Sequence, residues 1–234
     1  MGSRLGTYDL GPRPVGTYDL GSQRRGGHPT PSSSSCVRCP VDTIGTEHGM
    51  IYRVGVPPTL VLLTGPPGTG KSVLAERAAE GLGAPVLGWD WTMAALSGFD
   101  SVQRCLRDLS HTEYRRLGWS IMWNLATAQL RSGRSVVLDG VAREVEVAGT
   151  RDVARAVGAR CLVVLTSCSD ERVHRRRVEG RSRGIPGWYE LDWDHVVDVL
   201  RRWEPPVHVD LHLDAASPLD ANAAQLAVLL DVGA

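Results

Sequence analysis

One segment of eight residues, 65–72, carries the most specific chemical pattern in the chain. It fits G-x-x-x-x-G-K-[ST], the Walker A motif, in which loop amides and a lysine surround the phosphates of a nucleotide. Lys71 is the only lysine among 26 lysines and arginines, so the chain keeps a slender ammonium where a broad guanidinium fits poorly. The Ser72 hydroxyl is placed to ligate Mg²⁺. The motif therefore predicts a site for ATP and Mg²⁺.

A second candidate for the metal site is Asp139. It directly follows an apolar run at 136–138, as a Walker B aspartate does, and such a carboxylate holds the Mg²⁺ shell. The next residue is Gly140 and not a glutamate that could activate water, so the sequence favours phosphoryl transfer over ATP hydrolysis. The alternative is that Asp139 caps a turn, because aspartates are common in turns.

Asp90 stands between Trp89 and Trp91, at the end of another apolar run. Flanking indoles partly desolvate a carboxylate, which suits a general base that takes the proton of an attacking hydroxyl. The alternative is that Asp90 caps a short helix at 92–96, since aspartate is a favoured N-cap residue. We expect Trp91 and Arg143 to contact the acceptor together with Asp90.

Arginines are concentrated between residues 172 and 183, just before a loop with glycines and a proline at 184–188. This pattern predicts a mobile lid that closes over ATP and brings guanidinium groups to the transferring phosphoryl group. A wholly structural basic face is the alternative. The cluster consists of Arg172, Arg175, Arg176, Arg177, Arg181 and Arg183.

These patterns assign a role to each candidate residue. The catalytic residues are Asp90, Lys71, Arg177 and Arg181. The nucleotide-binding residues are Gly65, Pro66, Pro67, Gly68, Thr69, Gly70, Lys71, Ser72, Val73 and Arg175. The metal ligands are Ser72 and Asp139, and the acceptor contacts are Asp90, Trp91 and Arg143.

From residue 50 onward, short apolar runs alternate with segments of helical periodicity. This predicts an α/β fold, the three-layer sandwich of P-loop NTPases, with a mainly parallel five-stranded sheet and an arginine-rich helical lid. Ligands of such sheets bind beyond the carboxyl ends of the strands. The predicted strands are 59–64, 85–89, 135–138, 160–166 and 207–213. The predicted helices are 72–82, 101–109, 112–131, 144–157, 170–179, 194–203 and 218–230.

The long helix predicted at 112–131 carries two pairs of ambiguous residues. Trp119 and Trp123 share one helix face, where they can line a pocket or belong to the core. Arg115 and Arg116 are weaker candidates for the site, and we expect them at the surface.

Residues 1–49 differ in composition from residues 50–234. They contain Gly-Thr-Tyr-Asp-Leu-Gly twice and too few apolar residues to offset the entropy of ordering, so we expect a disordered tail before one folded domain. A start of translation at Met50 is an alternative. Cys36, Cys39 and His48 fall short of the four ligands of a zinc site.

The overall composition limits the partners. A formal net charge of zero disfavours nucleic acid as a partner. No apolar run reaches the roughly 18 residues of a membrane span, and the N-terminus lacks the apolar region of a signal peptide. We therefore expect a cytoplasmic protein without membrane contact, and the sequence leaves its oligomeric state open.

The region from residue 50 resembles the small P-loop kinases grouped with zeta toxins, chloramphenicol phosphotransferase and the kinase domains of polynucleotide kinases. The resemblance rests on residues 65–72, Asp90, 136–139 and the arginines of 172–183. Residues 183–191 are similar to a segment of AAA-type bacterial ATP-binding proteins in this group. The resemblance implies a P-loop kinase domain at 50–234, in which Asp90 is the acceptor base and lid arginines hold the phosphates.

Three functions remain open at the level of sequence. The leading hypothesis is an ATP-dependent phosphotransferase that acts on a hydroxyl of a small molecule, such as an antibiotic, a nucleoside or a sugar nucleotide. A polynucleotide or RNA 5′-end kinase is the alternative, although residues 91–94 lack the arginine that follows the base in that family. The third is a non-catalytic, nucleotide-dependent switch that binds a protein partner.

Overall fold

The computed structural model describes residues 57–231. The predicted tail at 1–49, its repeat, and the cysteine pair Cys36 and Cys39 lie outside these residues. None of the helices in the described range combines the length and the apolar content that a bilayer span requires.

A single five-stranded sheet forms the centre of the described region. Its strands are β1 (Thr59–Thr64), β2 (Val86–Gly88), β3 (Val136–Asp139), β4 (Arg160–Ser167) and β5 (Leu211–Asp214). All neighbouring strands run parallel, in the order β2-β3-β1-β4-β5. Because consecutive parallel strands need a crossover, helices connect them and cover both faces. This confirms the predicted α/β three-layer architecture.

The central strand β1 is buried along its whole length, and its side chains alternate between two cores. The helices are α1 (Lys71–Leu82), α2 (Trp89–Ser97), α3 (Asp100–Asp108), α4 (His111–Arg131), α5 (Glu144–Ala156), α6 (Glu171–Glu179), α7 (Trp193–Arg202) and α8 (Leu219–Asp231). Leu60 and Leu62 of β1 face α4 and α5, whereas Val61 and Leu63 face α1 and α8.

Two predicted strand boundaries were wrong. The second strand ends at Gly88, so Trp89 and Asp90 belong to the first turn of α2 and not to a strand end. The fifth strand starts at Leu211 and not at 207, because the amide of Val207 donates to Oε2 of Glu144 at 2.9 Å instead of joining the sheet.

The tryptophans form a stack in the core on the α4 side of the sheet. The rings of Trp89 and Trp119 are 5.8 Å apart, and those of Trp119 and Trp123 are 6.0 Å apart. Trp119 is 1% exposed, and a Cβ at Gly118 would lie 2.3 Å from the ring of Trp89. Trp119 and Trp123 are therefore core residues, and Trp89 packs with them. Trp91, by contrast, is exposed.

Arg115 forms a buried ion pair, contrary to the expectation that it lies at the surface. Its Nη2 lies 2.8 Å from Oε1 of Glu146 and also donates to the carbonyl of Val141 at 2.9 Å. The second carboxylate oxygen of Glu146 accepts from the amide of Arg143 at 2.7 Å. The pair thus ties α4 to the segment that follows β3.

Replacing Arg115 by methionine is expected to lower the free energy of unfolding by about 3–5 kcal/mol, because Glu146 is left as a buried charge without its partner. Urea unfolding measures the change, and Arg116→Met is the control because Arg116 is exposed. A second substitution, Glu146→Met, should restore much of the loss. Equal stability of Arg115→Met and the unmodified protein would contradict this account.

Candidate active site

The Walker A loop joins β1 to α1, and its glycines are required by close contacts. Gly65 has φ +145°, and a Cβ there would lie 2.1 Å from the carbonyl oxygen of Thr166 on β4. Gly68 has φ +86°, and a Cβ there would lie 2.5 Å from Cγ2 of Val178 on α6. The loop is therefore clamped between the sheet and α6, with its amides at the N-terminus of α1, where anions bind.

Lys71 is the first residue of α1 and lies beneath the loop. It is 8% exposed, and its Nζ donates to the carbonyl of Pro66 at 2.9 Å. The same carbonyl accepts from the Thr69 hydroxyl at 2.8 Å. Burial lowers the pKa of Lys71 below its ordinary value, and the carboxylate of Asp139 opposes this shift. The side chain is thus a desolvated cation at the centre of the loop.

Ser72 and Asp139 meet at the carboxyl edge of the sheet. The Ser72 hydroxyl donates to Oδ2 of Asp139 at 2.7 Å, although the two residues are 67 positions apart. Burial raises the pKa of Asp139, and the Lys71 ammonium opposes this shift. A hydroxyl and a desolvated carboxylate side by side are hard oxygen ligands, and this donor set fits Mg²⁺.

Replacing Asp139 by alanine is expected to remove the Mg²⁺ dependence of ATP binding. The affinity for ATP in Mg²⁺ should fall about 10- to 100-fold, as is usual when a partner of a metal site is lost. Calorimetry in Mg²⁺ and in EDTA measures both affinities, and Asp152→Ala on the exposed surface of α5 is the control. An Asp139→Ala protein that still gains affinity from Mg²⁺ would contradict the assignment.

A cavity of about 270 Å³ opens beside the loop. The lid arginines Arg177 and Arg181 line it, so both lie beside the Walker A loop. The other lining residues come from the loop, from α1 and from the segment after β5: Gly68, Thr69, Gly70, Val73, Leu74, Ala215, Ser217, Leu219 and Asn222. The residues after β5 were not predicted, although the rule that ligands bind at carboxyl ends of strands applies to β5 as well.

Helix α6 is docked on the loop through His174, which the sequence analysis missed. Its Nε2 donates to the carbonyl of Pro67 at 2.7 Å, and its ring packs edge-on against Trp193 at 5.2 Å. Burial lowers the pKa of His174, so a neutral ring is favoured. His174, Arg177 and Val178 share one face of α6, and this helical spacing was the signal available in the sequence.

The structure does not place Arg175 at the loop. Its Nε donates to Oε1 of Glu179 at 2.8 Å, and both side chains are about half exposed. Two positions separate Arg175 from Arg177, which puts the two side chains on opposite sides of α6. Partial desolvation and the neighbouring Arg183 lower the pKa of Arg181.

The proposed acceptor contacts come from the start of α2 and from the residue before α5. Asp90 is in the first turn of α2, and Arg183 donates to its Oδ2 at 2.5 Å. Trp91 is 58% exposed beside Gly88. Arg143 precedes α5, and its Nη2 donates to the carbonyl of Arg202 at 3.3 Å.

The chain is similar to known proteins in sequence and in fold. The sequence profile of the AAA domain family matches residues 60–206, which is more than half of the chain. The chain belongs to the AAA domain family. No curated protein sequence matches this AAA domain protein.

Solved structures share the fold of this AAA domain protein at low sequence identity. Kti12 of Chaetomium thermophilum with ADP-AlF3 is 16% identical, with TM-score 0.56 over 74% of this chain and 98% of its own. The APS kinase CysC of Mycobacterium tuberculosis with AMPPNP and APS is 20% identical, with TM-score 0.53 over 76% and 99%. A gluconokinase from Sinorhizobium meliloti 1021 is 20% identical, with TM-score 0.52 over 75% and 93%. The expected fold of the small P-loop kinases is thereby confirmed.

Proposed function

We propose that this protein is an ATP-dependent phosphotransferase that moves the γ-phosphoryl group of ATP to a hydroxyl group of a small molecule. The observation that carries the proposal is the convergence of four charged residues at the carboxyl edge of the sheet. Burial lowers the pKa of Lys71 and of Arg181 and raises that of Asp139, and in each case the nearby carboxylate of Asp90 acts to raise the pKa. Two cations for the phosphates beside two carboxylates, one for the metal and one for the acceptor, match the needs of a kinase.

The donor side holds the triphosphate. The amides at the N-terminus of α1 and the Lys71 ammonium bind its phosphate oxygens, while Arg177 and Arg181 approach from the lid. The cavity beside the loop takes the nucleoside. Ser72 and Asp139 would hold Mg²⁺, which when bound neutralises negative charge on the phosphates.

The acceptor side carries out the proton transfer. The acceptor hydroxyl attacks the γ-phosphorus and gives its proton to Asp90, while the bond between the γ-phosphorus and the bridging oxygen breaks and ADP leaves. Trp91 offers an exposed flat surface for the acceptor, and Arg143 is its second proposed contact. The protein forms no covalent bond to the phosphoryl group in this step. The rate therefore depends mainly on how well these groups are positioned.

The proposal also includes the chemical class of the acceptor. An antibiotic, a nucleoside or a sugar nucleotide offers a hydroxyl and a ring that can pack on Trp91. The formal net charge of zero supports a small acceptor over a nucleic acid, which requires many phosphate contacts. Two solved neighbours, the gluconokinase and the APS kinase, are named for small molecules.

A screen with labelled ATP and Mg²⁺ tests the proposal. The full chain is incubated with antibiotics, nucleosides, sugars and sugar nucleotides, and with oligonucleotides that carry a 5′-hydroxyl group. Mass spectrometry detects an added phosphoryl group, and Asp90→Asn serves as the inactive control. Labelling of an oligonucleotide alone would favour the 5′-end kinase. Nucleotide binding without transfer to any compound would favour a nucleotide-dependent switch.

A further inference from the structure

The guanidinium of Arg183 is held by all three of its nitrogen atoms. Nη1 donates to Oδ2 of Asp90 at 2.5 Å, Nε donates to Oε2 of Glu190 at 3.4 Å, and Nη2 donates to the carbonyl of Tyr189. The side chain is only 10% exposed. Arg183 is therefore held in place by contacts within the protein and is not free to bind a phosphate.

Hydrogen bonds to the carboxylate of Glu190 join the two ends of the loop at 182–190. Its Oε1 accepts from the amide of Arg183 at 2.9 Å, the amide of Gly184 at 3.3 Å and the hydroxyl of Ser182 at 3.2 Å. Burial acts to raise the pKa of Glu190, but the hydrogen bonds from these two amides and from Ser182 hold it below its usual range. An ionised Glu190 thus sets the direction in which Arg183 points.

The same loop contacts α2 at both ends of the helix. Arg183 reaches Asp90 in the first turn, and the carbonyl of Gly187 lies 3.4 Å from the hydroxyl of Ser97, the last residue of α2, which donates to the carbonyl of Ala94 at 2.7 Å. The loop therefore contacts the helix that carries Asp90 at two opposite ends.

The lid arginines therefore divide into two groups. Arg177 and Arg181 line the cavity beside the Walker A loop, and within residues 57–231 neither forms an ion pair shorter than 4.0 Å. Arg183 is instead already paired with two carboxylates, those of Asp90 and Glu190. The first group is available for phosphate, whereas the second is not.

We propose that Arg183 is a positioning residue for Asp90, held in place by Glu190, and that it is not a ligand of the phosphates. The inference rests on the proposed function, in which Asp90 receives the proton of the acceptor. Arg183 occupies Oδ2 and leaves Oδ1 of Asp90 to accept that proton. A fixed carboxylate benefits a reaction whose rate depends on the placement of the attacking hydroxyl.

Carboxyl labelling of the full chain reports on the pair without requiring the acceptor. A carbodiimide with glycine ethyl ester modifies accessible carboxyl groups, and mass spectrometry gives the rate at Asp90. We expect Arg183→Gln to raise that rate several-fold because Asp90 loses its partner. Glu190→Gln should raise the rate as well because Arg183 is then no longer held against Asp90. Arg155→Gln on the exposed surface of α5 is the matched control and should leave the rate unchanged.

Calorimetry with Mg²⁺ and ATP separates positioning from phosphate binding. Arg181→Gln is expected to weaken ATP binding about tenfold or more, as the loss of a charged hydrogen bond does. Arg183→Gln should leave ATP affinity within about twofold of the unmodified protein, the scatter of independent sites. Glu190→Gln makes the same test if Arg183→Gln fails to fold.

Two results would overturn the inference. One is an equal labelling rate of Asp90 with and without Arg183. The other is a loss of ATP affinity in Arg183→Gln as large as that in Arg181→Gln, which would make Arg183 a phosphate ligand. Failure of the proposed function gives a different result, because no compound in the screen would then gain a phosphoryl group while the labelling of Asp90 still depended on Arg183.

Discussion

Replacing Lys71 by methionine is expected to reduce phosphoryl transfer by at least about 100-fold, the usual effect of removing a preorganised group that stabilises developing negative charge. ATP affinity should fall about tenfold or more, because a charged hydrogen-bond donor to phosphate is lost. Methionine has a similar length and is apolar, so the change removes the ammonium without opening a cavity. Turnover with labelled ATP and calorimetry measure the two effects.

The same substitution should not destabilise the protein. Lys71 is 8% exposed, and its Nζ is hydrogen-bonded to a carbonyl oxygen of the loop, so folding buries a cation. An apolar side chain avoids that desolvation, and the free energy of unfolding without nucleotide should stay equal or rise.

Lys71→Arg is the informative control for this prediction. It keeps the positive charge, but a planar fork does not fit the narrow space beneath the loop, so we expect it to lose transfer as well. Full activity of Lys71→Met would remove the basis for a nucleotide site at residues 65–72.

Replacing Asp90 by asparagine is expected to lower phosphoryl transfer about 10²- to 10⁴-fold, the range over which a general base contributes. The substitution keeps the shape of the side chain but removes its capacity to take a proton. ATP binding should change by less than about twofold, since no proposed nucleotide contact is altered. The test compares the fall in turnover with the change in ATP affinity, and only the turnover should fall.

Asp100→Asn provides the matched control for Asp90. Both aspartates lie in the first turn of a helix, so both substitutions weaken the interaction of a carboxylate with the helix N-terminus to a similar small extent. Only the Asp90 variant should lose transfer. Unchanged turnover of Asp90→Asn would show that another group receives the proton of the acceptor.

The features that the sequence analysis found are those encoded within a few consecutive residues. A strand, a glycine loop and a helix in succession define the Walker A loop, and alternation of strands and helices leads to the parallel sheet. Asp139 was placed near Ser72 because the carboxyl ends of parallel strands share one edge. The structure gives the hydrogen bond of 2.7 Å between them.

Boundaries and helix faces were harder to predict. Trp89 was assigned to a strand, but its ring packs against Trp119 and Gly118, and this contact belongs to the first turn of a helix. The sequence pattern does not distinguish Arg175 from Arg177 as a contact of the loop. Only the docking of α6 through His174 decides which of them faces the loop.

The sequence by itself determined the Walker A loop, the strand-end aspartate and the parallel sheet, because each depends on short-range pattern or on a general rule of sheet topology. The tertiary structure alone decided the pairing of Arg115 with Glu146 and of Arg183 with Asp90. These partners lie 31 and 93 positions apart, and an ion pair forms between them only after helix packing has brought distant segments together. No local periodicity specifies such a contact, because it depends on the relative placement of whole elements.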